Sequence, residues 1–186
     1  QMCIRDRLEL CQKEGIPTQS IANMPRPPVT KLDAIRFTWN KKTMRRQLLE
    51  GVGHFQAIDA MVMMSLSEKL LLTPYCADHQ IKCFWLEHDR VGRWLTHNPW
   101  LKKLKAHSHD AMTICVSELS KKLYTRMGWS PERVVAIPNG IAPNRFARIE
   151  RTMRSYGEPL QLGCVARLSA DKGVDVLIKA MEPLPN

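Results

Sequence analysis

Arg167, Lys172 and Gly173 stand as R-x4-K-G between an apolar run and an amphipathic one. The run from Leu160 to Val165 reads as a short buried strand. After the glycine, Val174, Leu177, Ile178 and Met181 recur at i, i+3, i+4 and i+7, which is one face of a helix. The first turn of a helix carries free N–H groups and the positive end of the macrodipole, so anions settle there. A guanidinium and an ammonium added at that mouth make a diphosphate the fitting ligand. The competing reading is that Arg and Lys beside a helix start are merely solvated. Spacing alone does not separate the two.

A second candidate lies upstream. Glu87-His88-Asp89 directly follows an apolar run, Ile81 to Leu86, that reads as a strand. Open α/β sheets bind ligands beyond the carboxyl ends of their strands, which puts His88 at a ligand-binding edge. The bland alternative is a surface histidine hydrogen-bonded to Glu87 or Asp89. A third candidate is the segment from Arg93 to His109. It interleaves Trp94, Leu95, Trp100, Leu101 and Leu104 with Arg93, Lys102, Lys103 and Lys105. Such a helix either lies in an anionic membrane interface or packs on a sheet in the ordinary way. In both cases Lys102 and Lys103 should be exposed.

The elements that would carry these residues alternate. Leu8 to Glu14 reads as the end of a helix with Gly15 just past it, and Pro17 to Ala22 as a strand. Asn23 to Thr30, with three prolines, is a connector. Phe37 to His54 is helix-like, with Lys41, Lys42, Arg45 and Arg46 outward, and Ala57 to Met64 is a strand. Ser65-Leu66-Ser67-Glu68 is a capping box that starts a helix to about Asp78. Asn98-Pro99 would open another helix near Trp100. Ala111 to Val116 is a strand, Ser117 caps a helix to Met127, and Gly128 ends it. Val134 to Ile137 is a strand closed by Pro138. Alternation on this scale predicts an α/β fold with a parallel sheet.

Two stretches together resemble a known family. Ile137-Pro138-Asn139-Gly140 followed by Ile141-Ala142-Pro143-Asn144-Arg145-Phe146, and then Gly163 to Met181, are similar to the domain junction of the group 1 glycosyltransferases, glycosyltransferase family 4. The family motif usually reads Val-Gly-Arg-Leu, whereas this chain has Val165-Ala166-Arg167-Leu168, and Ala142 stands where Asp is usual. The resemblance implies a GT-B architecture: a Rossmann-like parallel sheet domain plus the first strand–helix unit of a second Rossmann-like domain. It implies transfer of a hexose from a UDP-, GDP- or ADP-sugar to a glycan or lipid-linked acceptor, with retention of configuration. Arg167 and Lys172 would hold the donor diphosphate and His88 would act at the catalytic cleft. Asn139 and Gly140 would form a cleft floor or hinge, Gly140 through its freedom to take positive φ. Trp94, Trp100, Lys102 and Lys103 would face acceptor or membrane. No cofactor or metal is implied beyond the donor sugar nucleotide, and no nucleic acid.

The resemblance also divides the chain. Residues 1–7 fit nothing that follows and read as a non-native scar. Residues 8–145 correspond to the acceptor-side domain, without its first strand and glycine-rich loop. Residues 146–159 form a basic linker, and 160–186 begin the nucleotide-sugar-binding domain, whose Glu-x7-Glu motif would lie further on. The chain is expected to be an internal fragment, inactive alone, of a cytoplasmic or peripherally membrane-associated enzyme.

Composition sets the outer bounds. Of the 186 residues, 44% are hydrophobic and 25% charged, which is ordinary for a globular protein. No apolar run approaches the 18 or so residues of a membrane span. Six cysteines show no C-x-x-C pair and no metal-ligand spacing; four of them sit in or beside apolar segments and read as small core residues, and the set predicts a reducing compartment without disulfides or a zinc site. The net charge of +10 calls for an anionic partner: nucleic acid, membrane surface or substrate. A basic nucleic-acid-binding α/β module therefore stands as a rival, without a recognised motif to support it. An inert truncated fragment is the other.

Overall fold

The computed structural model describes residues 9–21, 24, 31–55, 57–88, 93–140 and 162–182. The chain divides into two compact units, 1–140 and 141–186. The first unit carries helix α1 (Lys31–Val52), strand β1 (Ala60–Met63), α2 (Leu66–Asp78) and β2 (Lys82–Glu87). It continues through two short helices, α3 (Arg93–Thr96) and α4 (Leu101–His107), then β3 (Met112–Cys115), α5 (Glu118–Arg126) and β4 (Val134–Ala136). Among the described residues the three strand pairings are all parallel and the order is β1-β2-β3-β4.

Parallel neighbours in sequence order need a crossover between each pair. Right-handed crossovers in one direction place their helices on one face of the sheet. Burial follows that rule. Alternate residues Met63, Cys83, Trp85, Glu87, Thr113 and Cys115 are buried, and their sequence neighbours are less so. Trp85, Tyr124 and Trp129 are almost wholly enclosed. Each aromatic of this size buries about 150–250 Å², a gross transfer term of roughly 4–6 kcal/mol at about 25 cal/mol per Å².

Helix boundaries obey local rules. At the start of α2 the capping box is complete: Ser65 Oγ accepts from the Glu68 amide at 3.2 Å, and Glu68 Oε2 accepts from the Ser65 amide at 3.0 Å. Ser117 Oγ likewise accepts from the Ser120 amide to start α5. Helix α5 ends in a Schellman motif, with Trp129 N–H bonded to Tyr124 O, Gly128 N–H to Thr125 O, and Gly128 at φ +95°. The two aromatics bracketing that turn meet edge to face, 5.2 Å between centroids. The short helical turn over 9–13 ends the same way at Gly15.

Several expectations need correction. Residues 17–21 form no strand; Pro17 has no N–H for a ladder, and Ile21 instead packs over Gly51 of α1. Ala22 lies outside the described residues. Helix α1 begins at Lys31 rather than Phe37, because Lys31 to Arg36 contains no helix breaker and Asp33 sits in the favourable first turn. Strand β1 covers only Ala60–Met63, the residues that have partners on β2. Helix α4 does open near Trp100, at Leu101, but Trp100 rather than Asn98 is its N-cap; Asn98 Oδ1 accepts from the Trp100 amide at 2.9 Å just ahead of it. The connector 25–30 and the linker 146–159 lie outside the described residues, as do residues 1–7.

Residues 162–165 of the run 160–165 form no strand either, and 160 and 161 lie outside the described residues. Residues 162–165 have no ladder partner among the described residues, and Val165 and Leu168 are open to solvent. An isolated strand leaves its backbone groups unpaired, so it has nothing to hold it extended. Of the second unit's elements, helix α6 (Val174–Met181) is the one the periodicity anticipated. Its apolar side chains Leu177, Ile178 and Met181 are exposed. Nor does Cys164 belong to a core: it is exposed, whereas Cys76, Cys83 and Cys115 are buried.

Helix α2 ends at a residue the sequence did not flag. Gln80 takes φ +57°, the C′ position of another Schellman turn, in which Ile81 N–H reaches Cys76 O at 2.9 Å. A side chain in that region costs roughly 1–2 kcal/mol. Gln80→Gly is therefore expected to stabilise the chain by about 0.5–1 kcal/mol after the glycine's greater unfolded-state entropy is deducted. A raised urea midpoint with unchanged slope would register the gain; a lowered midpoint would refute it.

Candidate functional site

The carboxyl edge of the sheet carries the first group of candidate residues. His88 follows the last ladder residue of β2 and is exposed. Asn139 and Gly140 follow β4 at the same edge and are exposed as well. With β3 between them, strand spacing of about 4.8 Å sets the two strand ends roughly 10 Å apart. Gly140 does not adopt positive φ, contrary to expectation, and a Cβ there would meet nothing within 4 Å. Its glycine is not demanded by backbone geometry.

His88 lines a cavity of about 120 Å³ together with Met64, Leu66, Lys69, Glu87 and Leu104 among others. Two of its lining residues form an ion pair. Lys69 Nζ is 2.8 Å from Glu87 Oε1, with the two side chains only 4% and 8% exposed. The same ammonium reaches the Leu86 carbonyl at 3.5 Å. Next to Glu87 in the sheet register is Cys115. Burial, reinforced by the Glu87 carboxylate, pushes its thiol up to about 12. The N-terminus of α2 borders this cavity but offers little to an anion. Glu68 Oε2 already accepts from the amides of Met64 and Ser65, both at 3.0 Å.

The pair Lys69–Glu87 was missed in the sequence, where Glu87 was weighed only as a partner for His88. Two signals were available. The period-2 pattern Cys83, Trp85, Glu87 puts the glutamate on the inward face, and Lys69 interrupts the otherwise apolar run Leu70–Leu72 at its near end.

The second group belongs to the other unit. Arg167 and Lys172 are exposed, with a 3-10 turn (Ala170–Lys172) between the arginine and α6. Gly173 caps α6 at φ +63°, ψ +25°, a left-handed conformation that a side chain would strain. In R-x4-K-G the glycine thus has a backbone reason. The third group is arranged around α4. Lys102 and Lys103 are exposed as expected. Trp100 is half-buried, edge-on to Phe37 of α1 at 5.3 Å, with Lys41 Nζ 6.0 Å from its ring centre. Leu95 and Leu104 are buried. The apolar side of this segment is turned inward. The side chain of Trp94 lies outside the described residues.

A larger concavity, about 760 Å³, runs along the outer edge of β1 between Ile21, Leu48, Val52, Phe55 and Val62. It holds none of the candidate residues. Among the described residues no cluster of His, Cys, Asp and Glu could hold a metal ion. No described helix is long and apolar enough to cross a membrane.

Together these features define a mixed α/β protein with a four-stranded parallel sheet, consistent with a Rossmann-like fold. Compared with family models, with curated proteins and with solved structures, the chain matches none.

At the foot of α4, burial lowers the His107 pKa and the nearby Lys103 lowers it further. The folded chain thus prefers the neutral ring, while the unfolded chain takes up the proton near the ordinary value. Stability should fall as pH drops below about 6.5. In His107→Gln the fall in urea midpoint between pH 7.5 and 5.5 is expected to be smaller. An identical fall in both proteins would exclude His107 as its source.

Proposed function

We propose that the chain is part of a GT-B glycosyltransferase of the group 1 type. In this reading it carries the acceptor-side domain and the start of the donor-binding domain. The observation that carries the reading is the segment Arg167 to Met181, in which an Arg, a Lys and a left-handed Gly precede an amphipathic helix. The upstream segment Ile137-Pro138-Asn139-Gly140 supports it, as does a parallel sheet with His88 and Asn139 at its carboxyl edge.

The chemistry follows from charge. As the glycosidic bond to a nucleoside diphosphate breaks, negative charge grows on the leaving diphosphate. Cations fixed at that point stabilise the transition state more than the ground state. Arg167 supplies a planar fork that binds two phosphate oxygens together, and Lys172 a compact point charge. The α6 N–H groups add the dipole contribution. His88, at the edge of the other unit, is the residue assigned to the sugar or acceptor. The donor is a UDP-, GDP- or ADP-sugar, and the acceptor a glycan or lipid-linked saccharide.

The test is a titration of the ¹⁵N-labelled chain with UDP, GDP and ADP. The expected result is a set of amide shift changes confined to 167–176 for one of the three, abolished in Arg167→Ala. In the enzyme of which the chain is a part, the same substitution should slow turnover by roughly 10²–10³-fold, as loss of a charge-stabilising donor does. No shifts with any nucleotide, together with tight salt-sensitive binding of an oligonucleotide, would favour the nucleic-acid reading of the +10 charge instead.

A further inference from the structure

We propose that Lys69 is a positioning residue for His88, acting through the buried ion pair with Glu87. One ammonium contacts the two residues that immediately precede the histidine: the Leu86 carbonyl at 3.5 Å and the Glu87 carboxylate at 2.8 Å. The β2–β3 ladder ends at Glu87, so pairing with β3 carries no further toward His88. Lys69 adds a side-chain tie at that last rung. It comes from α2, whose start is fixed by a complete capping box, so the tie has a rigid origin.

Stability alone is a weak reason for the pair. Both side chains are nearly inaccessible, and stripping water from each ion costs several kcal/mol. Apolar residues of the same volume are commonly neutral or stabilising in such places. A charged pair kept at this cost suits a role in fixing one conformation. Its location agrees, because Lys69, Glu87 and His88 all line the same small cavity at the carboxyl edge of the sheet. The cavity's volume is a few times the roughly 30 Å³ of a water molecule in the liquid. It therefore suits a hydroxyl or two of a bound saccharide rather than a whole ring. That His88 meets a saccharide rests on the function proposed above; its placement by Lys69 is a property of the free protein.

The experiment reads His88 in the uniformly labelled 186-residue chain by its amide and imidazole resonances and their relaxation. Three proteins are compared: the parent, Lys69→Arg, and the double variant Lys69→Met/Glu87→Leu, which removes both charges without stranding either. The expected outcome is that the double variant unfolds at or above the parent's urea midpoint while its His88 resonances move and sharpen. Lys69→Arg, which retains the charge, should keep parent-like signals. A folded double variant with parent-like His88 signals would overturn the proposal. So would a folded Lys69→Arg protein whose His88 is as mobile as the double variant's. A double variant that does not fold would assign the pair to stability and overturn it too. None of these readings requires a nucleotide, so failure here is distinct from failure of the glycosyltransferase reading.

Discussion

The seam between α2 and β2 is the constraint on which the first unit depends. Four residues along a helix advance about 6 Å, and two along a strand about 6.6 Å. Lys69 and Thr73 are thus spaced to meet Glu87 and Trp85, and they do. Lys69 pairs with Glu87, and Thr73 Oγ1 accepts from Trp85 Nε1 at 3.1 Å. One turn further on, the Cys76 thiol donates instead to the Met61 sulfur of β1, at 3.8 Å. Two matched contacts with β2, running in opposite chain directions, and one with β1 fix how the helix lies on the sheet.

The same seam explains why a buried hydroxyl is tolerated. Thr73 is inaccessible, yet it accepts from the indole and lies 3.7 Å from the Met63 sulfur. An unpaired hydroxyl there would cost on the order of 1–3 kcal/mol. The polar groups of this core are few, and along this line they serve one another. That Pro74 sits inside α2 beside Thr73 is compatible with the seam, since proline removes a donor from the helix's own ladder and not from the contacts with β2.

What the sequence disclosed depended on whether the determinants were local. The alternation of elements, the capping box at Ser65 and the glycine stop at Gly128 are written in residues a few positions apart, and the structure has them. The parallel sheet followed from the alternation. What failed was decided at a distance. Residues 162–165 have strand-like composition but no neighbour to pair with among the described residues, and Pro17 to Ile21 answer to Gly51 rather than to a ladder. Gly140 looked like a backbone glycine and is not; Gly173, one of the motif residues, is. The Lys69–Glu87 pair joins positions eighteen residues apart, which no local pattern announces, although the inward parity of Glu87 hinted at half of it.

Strand β1 has one further consequence. Among the described residues it is an outer strand of the four, with Val62 and the neighbouring Met64 exposed. An outer strand presents a row of amides and carbonyls to whatever extended peptide comes near, and an apolar trough alongside rewards the encounter. Here the row is only four residues long, which limits the grip of any single encounter, and the surplus of positive charge on the chain keeps like molecules apart. Salt screens that charge, so the protection it gives the edge weakens as ionic strength rises.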